Sequence, residues 1–318
     1  MSLLSIENLG VTFKTDRGTV RAVDSVNLQI DRGETLAIVG ESGSGKSVTA
    51  LSILGLVGDA GNIESGQIVF DGQDLTNVRT SELRSIRGNR IAMIFQEPMS
   101  SLNPSLTIGK QVAEPIWLHR NKAWSEALDE AGELLTQVAI PDAKHRLGDY
   151  PHQFSGGMRQ RVMIAMALAC QPDLIIADEP STALDVTVQA QILALLKDLT
   201  RKANAALMLI THDLGVVARY ADRVAVMYAG RVVETADARS LYADPKHPYT
   251  RGLLSSIPVL DGEAGVRLST IDGQPPDLVD LPRGCAFSPR CPVRTDRCLS
   301  ERPKLEGREH LKACFVDE

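Results

Sequence analysis

Seven short apolar runs punctuate the chain: Leu3–Leu9, Val26–Ile30, Thr35–Val39, Arg90–Phe95, Leu174–Asp178, Ala205–Thr211 and Val224–Tyr228. Each has strand length, and they alternate with helical stretches, which predicts an α/β core. Two runs end directly in polar clusters, Asp178-Glu179-Pro180-Ser181 and Thr211-His212-Asp213. Open α/β sheets bind ligands at the carboxyl ends of their strands, so both clusters are candidate site residues. Between Gln96 and Gln160 the pattern turns helical, over Ile108–His119 and Ala123–Val138. A helical subdomain inserted at about residues 97–160 is expected there. A further helix over Val186–Ala203 carries Val188, Ile192, Leu195 and Leu199 on one stripe, its expected buried face. Beyond Leu260 the periodicity fades and Gly, Pro, Arg and Cys become common. Residues 1–260 are expected to form one domain and 261–318 a small Cys-rich C-terminal module.

With 318 residues, 43% of them hydrophobic, the chain can bury a sizeable core. Its net charge of −6 argues against a mainly nucleic-acid-binding surface. No apolar run approaches the roughly 18 residues of a membrane span. The first residues, MSLLSIENLG, lack a basic segment followed by a long apolar stretch, so a cytosolic protein is expected. Its five cysteines are then expected to be reduced, metal-bound or catalytic rather than paired in disulfides.

The strand Thr35–Val39 runs into Gly40-Glu41-Ser42-Gly43-Ser44-Gly45-Lys46-Ser47, followed by Val48 and an apolar helix. Strand, G-x-x-x-x-G-K-S and helix is the context of a phosphate-binding P-loop. Glycines let successive backbone N–H groups turn towards one anion, and the helix N-terminus adds its positive dipole end. Lys46 supplies a point charge to the β- and γ-phosphates, and Ser47 offers a hydroxyl to Mg²⁺. At the end of a wholly apolar strand, Asp178 can hold Mg²⁺ and Glu179 can orient and deprotonate an attacking water. Two such carboxylates alone would also suit a helix cap. Phe154-Ser155-Gly156-Gly157-Met158 opens a helix with a hydroxyl and backbone N–H groups. That is a second anion site, suited to the γ-phosphate of another subunit's nucleotide.

These motifs, in this order, resemble the ATP-binding cassette (ABC) ATPases over about residues 3–258. The resemblance implies an α/β P-loop ABC core with an inserted helical subdomain, binding ATP and Mg²⁺. It implies that Gly40, Glu41, Ser42, Gly43, Ser44, Gly45, Lys46, Ser47 and Val48 bind ATP, with Phe13 stacking on adenine from 33 residues before Lys46. Gln96 is similar to the Q-loop glutamine and would join Ser47 and Asp178 on Mg²⁺. Ser155, Gly156, Gly157 and Met158 resemble the LSGGQ signature, with Phe154 in place of Leu and Met158 in place of Gln. Leu184-Asp185 resembles the D-loop and His212 the switch histidine. Two ATPases would close head to tail over ATP, with Glu179 as general base and His212 contacting the γ-phosphate.

Longer stretches narrow the resemblance. Phe95-Gln96-Glu97-Pro98-Met99-Ser100-Ser101-Leu102-Asn103-Pro104, His247-Pro248-Tyr249-Thr250, Gly273-Gln274-Pro275-Pro276, Gly284-Cys285-Ala286-Phe287 and Pro289-Arg290-Cys291 resemble the dipeptide/oligopeptide importer ATPases. A peripheral ATPase on the cytoplasmic face of the inner membrane is implied. Its partners would be a second, different ATPase subunit, two transmembrane permease subunits and, through them, an external substrate-binding protein. Nickel, glutathione or another cargo of this importer family remains an alternative to peptides, and a non-transport mechanochemical ATPase is the competing class. The tail's Cys285, Cys291, Cys298 and Cys314 form C-x5-C-x6-C-x15-C, without the tight knuckle zinc usually prefers. Wider spacing suits an iron–sulfide cube held by four thiolates. Related importer ATPases are similar in carrying such a tail, in some cases with a [4Fe–4S] cluster. Zinc and free thiols stay as alternatives. Cys170 reads as a small core residue within an apolar helix.

Overall fold

The computed structural model describes residues 2–97, 101–181, 185–256 and 270–316. They gather into two compact units, each discontinuous in sequence. One comprises Asp31–Glu34 and Asn77–Ile210, the other Ser2–Ile30, Thr35–Thr76 and the chain from Thr211 onward.

The first unit is built on a parallel ladder. Ile91–Ile94 pairs with Leu174–Asp178 from Ile91↔Leu174 to Ile94↔Ala177, and Leu174–Asp178 pairs with Ala206–Thr211 from Leu174↔Ala206 to Asp178↔Ile210. Both partners of the second pair are buried at every position, the mark of a sheet covered on both faces. Its helices are Ile108–His119, Trp124–Gln137, Gly156–Leu168 and Val186–Lys202. The first buries Ile108, Val112, Ala113 and Ile116, while Trp117 and Leu118 stay exposed. In Val186–Lys202 the buried side chains are Ile192, Leu193, Leu196 and Thr200. The expected stripe is thus displaced by one position: Val188, Leu195 and Leu199 are only half-buried. Leucines occupy two neighbouring stripes of this helix, and packing rather than periodicity selects between them. Cys170 also departs from expectation. The helix ends at Leu168, and Cys170 lies half-buried in the following turn, its thiol against the Pro115 carbonyl at 3.3 Å.

The second unit holds a four-stranded sheet in the order Gly18–Asp31, Ser2–Thr15, Gly61–Phe70, Gln73–Asp74. It also holds Thr35–Val39, parallel to Arg223–Tyr228 from Leu36↔Arg223 to Val39↔Val226. Arg223–Tyr228 turns back into Arg231–Asp237. The tail adds to this edge, with Glu234↔Lys312 and Thr235↔Leu311. Phe287 is buried in one core with Val39, Val226, Tyr228 and Tyr249. The described tail thus shares the core of the glycine-rich loop's strand. No described helix is long and apolar enough to cross a membrane.

Candidate functional site

In the second unit, Thr35–Val39 is buried throughout and delivers the chain to the turn Gly40–Gly45, after which helix Lys46–Ile53 begins. Gly40 holds φ at +152°, and a Cβ there would run into the Met227 carbonyl oxygen, so only glycine fits. The loop winds around the Lys46 ammonium. Nζ donates to the carbonyls of Gly40 at 2.8 Å and Glu41 at 2.9 Å, and reaches Ser44 Oγ at 3.4 Å. Lys46 is only 6% exposed, so those oxygens replace its water shell. Gly230 N–H donates to the Ser44 carbonyl at 3.0 Å and ties the loop to the turn after Arg223–Tyr228. Ser42 and Gly43 are exposed, and Ser47 and Val48 half-buried. The helix's first turn carries no acidic side chain, so no local carboxylate opposes its positive end. This is a cationic, N–H-rich cradle able to take a phosphate.

Phe13 lies in the same unit on strand Ser2–Thr15, half-buried and paired with Gly61. His212 is exposed between Thr211 and Asp213. It does not cap the following helix. Asp213 does, accepting from the N–H groups of Gly215 at 2.9 Å and Val216 at 3.2 Å.

In the first unit, Asp178 ends its strand 6% exposed. Glu179 follows in the left-handed region, φ +47°, with its N–H on the Ile210 carbonyl at 2.9 Å. That kink takes the Glu179 side chain out of the strand's alternation. Gln96 Nε2 donates to Glu179 Oε2 at 2.9 Å, so the structure brings these two sequence-selected residues together. Ser155 caps helix Gly156–Leu168, its Oγ accepting from Met158 N–H at 3.4 Å, with Ser155 and Gly156 exposed. A Cβ on Gly157 would stand 3.0 Å from Val188 Cγ1, so the start of helix Val186–Lys202 presses on this glycine. Asp185 caps that helix through Val188 N–H at 2.9 Å. Leu184 and Pro98-Met99-Ser100, like the boundary at residue 260, lie outside the described residues.

Cys285, Cys291, Cys298 and Cys314 line a single cavity of about 10 Å³ with His247 and Phe287. Cys285 N–H donates to the Cys298 carbonyl at 2.8 Å, linking two of the thiol-bearing segments. Burial pushes the Cys285 thiol up to about 11, and the other three sulfurs push the same way. Cys291 is likewise raised by burial. The donor set is therefore four clustered thiols, of which Cys285 and Cys291 resist ionising without a cation. Among the described residues, no three His, Cys, Asp or Glu side chains are drawn tightly enough to hold a single metal ion as they stand.

A family model for ABC transporters matches residues 23–182, half of the chain, and one for the oligopeptide/dipeptide transporter C-terminal region matches residues 233–298. The chain belongs to the ABC transporter family. It is 53% identical to an oligopeptide transport ATP-binding protein, AppD, of Bacillus subtilis, over 100% of this chain and 97% of that one. It is 51% identical to OppD of Escherichia coli, again an oligopeptide transport ATP-binding protein, over 99% and 93%. Among solved structures it is similar to an ATP-binding cassette in a dimeric post-hydrolysis state bound to ADP and Pi. That likeness has a TM-score of 0.66 and 32% identity, and covers 74% of this chain and 99% of that one.

In this ABC ATPase the two signature departures have local explanations. Phe154 is buried, with the Arg146 guanidinium 4.6 Å from its ring centroid. Met158 Sδ accepts from Arg146 Nη1 at 3.8 Å. One arginine thus meets both substituted positions. Two contacts of the P-loop were not foreseen from sequence. Tyr249 hydroxyl accepts from Glu41 N–H at 2.9 Å, and Arg290 pairs with the Glu41 carboxylate at 2.7 Å. Both residues stand in stretches that carried the family resemblance, His247–Thr250 and Pro289–Cys291. That was their only signal.

Proposed function

We propose that this ABC ATPase drives uptake of di- and oligopeptides through a membrane permease. The observation that carries the reading is the likeness, at about half identity along the whole chain, to oligopeptide transport ATP-binding proteins. An intact set of Lys46, Asp178, Glu179 and His212 supports a working rather than a degenerate ATPase. The domain division follows the same reading: 1–260 is the ATPase domain, with the helical subdomain 97–160 inserted, and 261–318 is the C-terminal module.

Lys46 and the N–H groups of Gly40–Val48 bind the phosphates, and Phe13 stacks on the adenine. Ser47, Gln96 and Asp178 supply hard oxygens for Mg²⁺, which neutralises phosphate charge when bound with the nucleotide. Glu179 takes a proton from water as the water oxygen attacks the γ-phosphorus. The bond to the β–γ bridging oxygen breaks, and ADP and phosphate leave. His212 contacts the γ-phosphate. Ser155, Gly156, Gly157 and Met158 receive the γ-phosphate of a partner ATPase, with Asp185 of the D-loop beside that contact, so ATP closes the dimer and hydrolysis reopens it. The exposed Ser155–Gly156 helix start suits such a contact. A second, different ATPase joins this chain at the cytoplasmic face of the inner membrane, two permease chains span that membrane, and an external binding protein acts through them. Exposed Trp117 and Leu118 on the helical insertion support docking to a permease.

The four tail thiols hold a [4Fe–4S] cluster in this reading, with zinc as the alternative. Their shared cavity and all-sulfur donor set support a thiolate-bound group. Cys285, Cys291, Cys298 and Cys314 would, by sharing one bound group, be cross-linked across a segment with little regular structure. Anaerobic purification should yield iron and acid-labile sulfide. Stoichiometric zinc without iron would replace the cluster with zinc.

For the transport reading, the tagged chain is isolated from native membranes. Two hydrophobic permease chains and a second ATPase should accompany it. Its ATPase activity should rise with peptide-loaded binding protein and not with nickel or glutathione. Isolation without permeases, or stimulation by those cargoes alone, would contradict it.

A further inference from the structure

Glu41 directly follows Gly40 in the phosphate loop, and all three of its polar groups are held. Its N–H donates to Tyr249 hydroxyl at 2.9 Å. Its carbonyl accepts from Lys46 Nζ at 2.9 Å and from Ser44 N–H at 3.2 Å. Its carboxylate receives both arms of the Arg290 guanidinium, Nη1 on Oε2 at 2.7 Å and Nη2 on Oε1 at 3.0 Å. Such a fork fixes direction as well as distance, which a single charge contact would not.

The rest of Arg290 is equally committed. Nε donates to the Asp272 carbonyl at 3.0 Å, Nη2 to the Ile271 carbonyl at 3.3 Å and Nη1 to Tyr228 hydroxyl at 3.4 Å. The side chain is 5% exposed. A guanidinium whose donors are all engaged in a nearly dry position is rigid, and lysine could not copy it. Arg290 stands on a turn rooted by its N–H on the Phe287 carbonyl at 2.9 Å. Phe287 wedges against Tyr228 and Tyr249, with ring centroids 5.3 and 5.4 Å away. The same short tail segment thus supplies the charge that grips Glu41 and the ring that seats the tyrosine holding its N–H.

We propose that Arg290 is a positioning residue for nucleotide binding, through which the C-terminal segment holds the entrance of the phosphate loop in its binding shape. It touches no phosphate in this account. It removes freedom from Glu41 and the loop before ATP arrives. Without it, ordering about one residue's backbone on binding costs roughly tenfold in affinity. An unpaired Glu41 carboxylate would also repel the triphosphate. The effect falls on affinity, because the proton-transfer group Glu179 is not part of this network. The proposal rests on the phosphate-loop reading, and Lys46→Ala separates the two: retained ATP binding in that variant would remove the reading itself.

The test compares Arg290→Gln, Glu41→Gln and the double variant in the assembled transporter, by ATP titration of turnover and by nucleotide binding to the full chain. Arg290→Gln should raise KM for ATP and the nucleotide Kd about tenfold, with kcat at saturating ATP kept within about twofold. A purely structural loss would lower kcat with the active fraction and leave KM alone. The double variant should bind no more weakly than the weaker single variant, since both act through one contact. If Arg290→Gln does not fold, Glu41→Gln carries the same expected rise in KM. An unchanged KM in the folded variant, or losses that multiply in the double variant, would overturn the proposal.

Discussion

The phosphate loop and the C-terminal segment reach order by opposite routes. Between Gly40 and Ser47 the chain folds on itself, with glycines that admit positive φ, a lysine drawn into its own loop and a helix directly behind. The described tail, residues 270–316, has one helix of five residues and two strands of two residues each. It is held by what it touches: Phe287 in the core, Leu311 and Lys312 on the Arg231–Asp237 edge, and Arg290 on Glu41. Local sequence can specify a loop's shape, and remote sequence can still specify how firmly that shape is kept.

The largest expected effect tests whether the chemistry belongs to the core alone. Glu179→Gln should cut turnover by roughly 10²–10⁴ while ATP binding and tail stability stay unchanged, measured by single-turnover hydrolysis beside nucleotide titration. Undiminished hydrolysis would remove Glu179 as the base. Next, Phe287→Ala should cost about 3–5 kcal/mol, because the ring is buried among Tyr228, Tyr249 and His247. Urea unfolding should show the second unit losing stability as a whole. If proteolysis released the tail while the remainder melted unchanged, the two regions would be independent and the comparison would fail.

The smallest effect is a pH dependence. His247 Nδ1 accepts from Tyr249 N–H at 3.0 Å, which needs the neutral ring. Burial lowers this histidine from 6.5 to about 4, against the pull of Glu234. Its folded pKa lies below the unfolded one, so the unfolded chain binds the extra proton first as pH falls. The contribution is complete above pH 6.5 and is lost down to about pH 4, by roughly 1.4 kcal/mol per pH unit at most. Urea midpoints of the wild type and His247→Asn, compared across that range, check it. Parallel curves would assign the acid sensitivity elsewhere.

The sequence made some elements plain and concealed others for physical reasons. Thr35–Val39 and Leu174–Asp178 have the expected bounds because uninterrupted burial leaves no polar residue inside them. Ile108–His119 also keeps its bounds despite an internal Pro115. Gly61–Phe70 was not legible: half of its residues are exposed, it holds two glycines, and it owes its extended form to pairing with Ser2–Thr15. For the site, Gly40–Val48 was read from its motif and Glu179 from its strand end. The Gln96–Glu179 hydrogen bond confirms only that those two meet. Arg290 was beyond composition or spacing, since its partner lies 249 positions earlier. Nothing local distinguishes it from an exposed arginine.

The central claim is that ATP hydrolysis by this chain moves peptide across a membrane. The most direct measurement uses proteoliposomes holding the assembled transporter and loaded with ATP, with binding protein and labelled oligopeptide outside. The account predicts that peptide accumulates inside while ATP is consumed, and that Lys46→Ala in this chain sharply reduces both. Steady ATP consumption with no peptide accumulation, or uptake unaffected by Lys46→Ala, would contradict it.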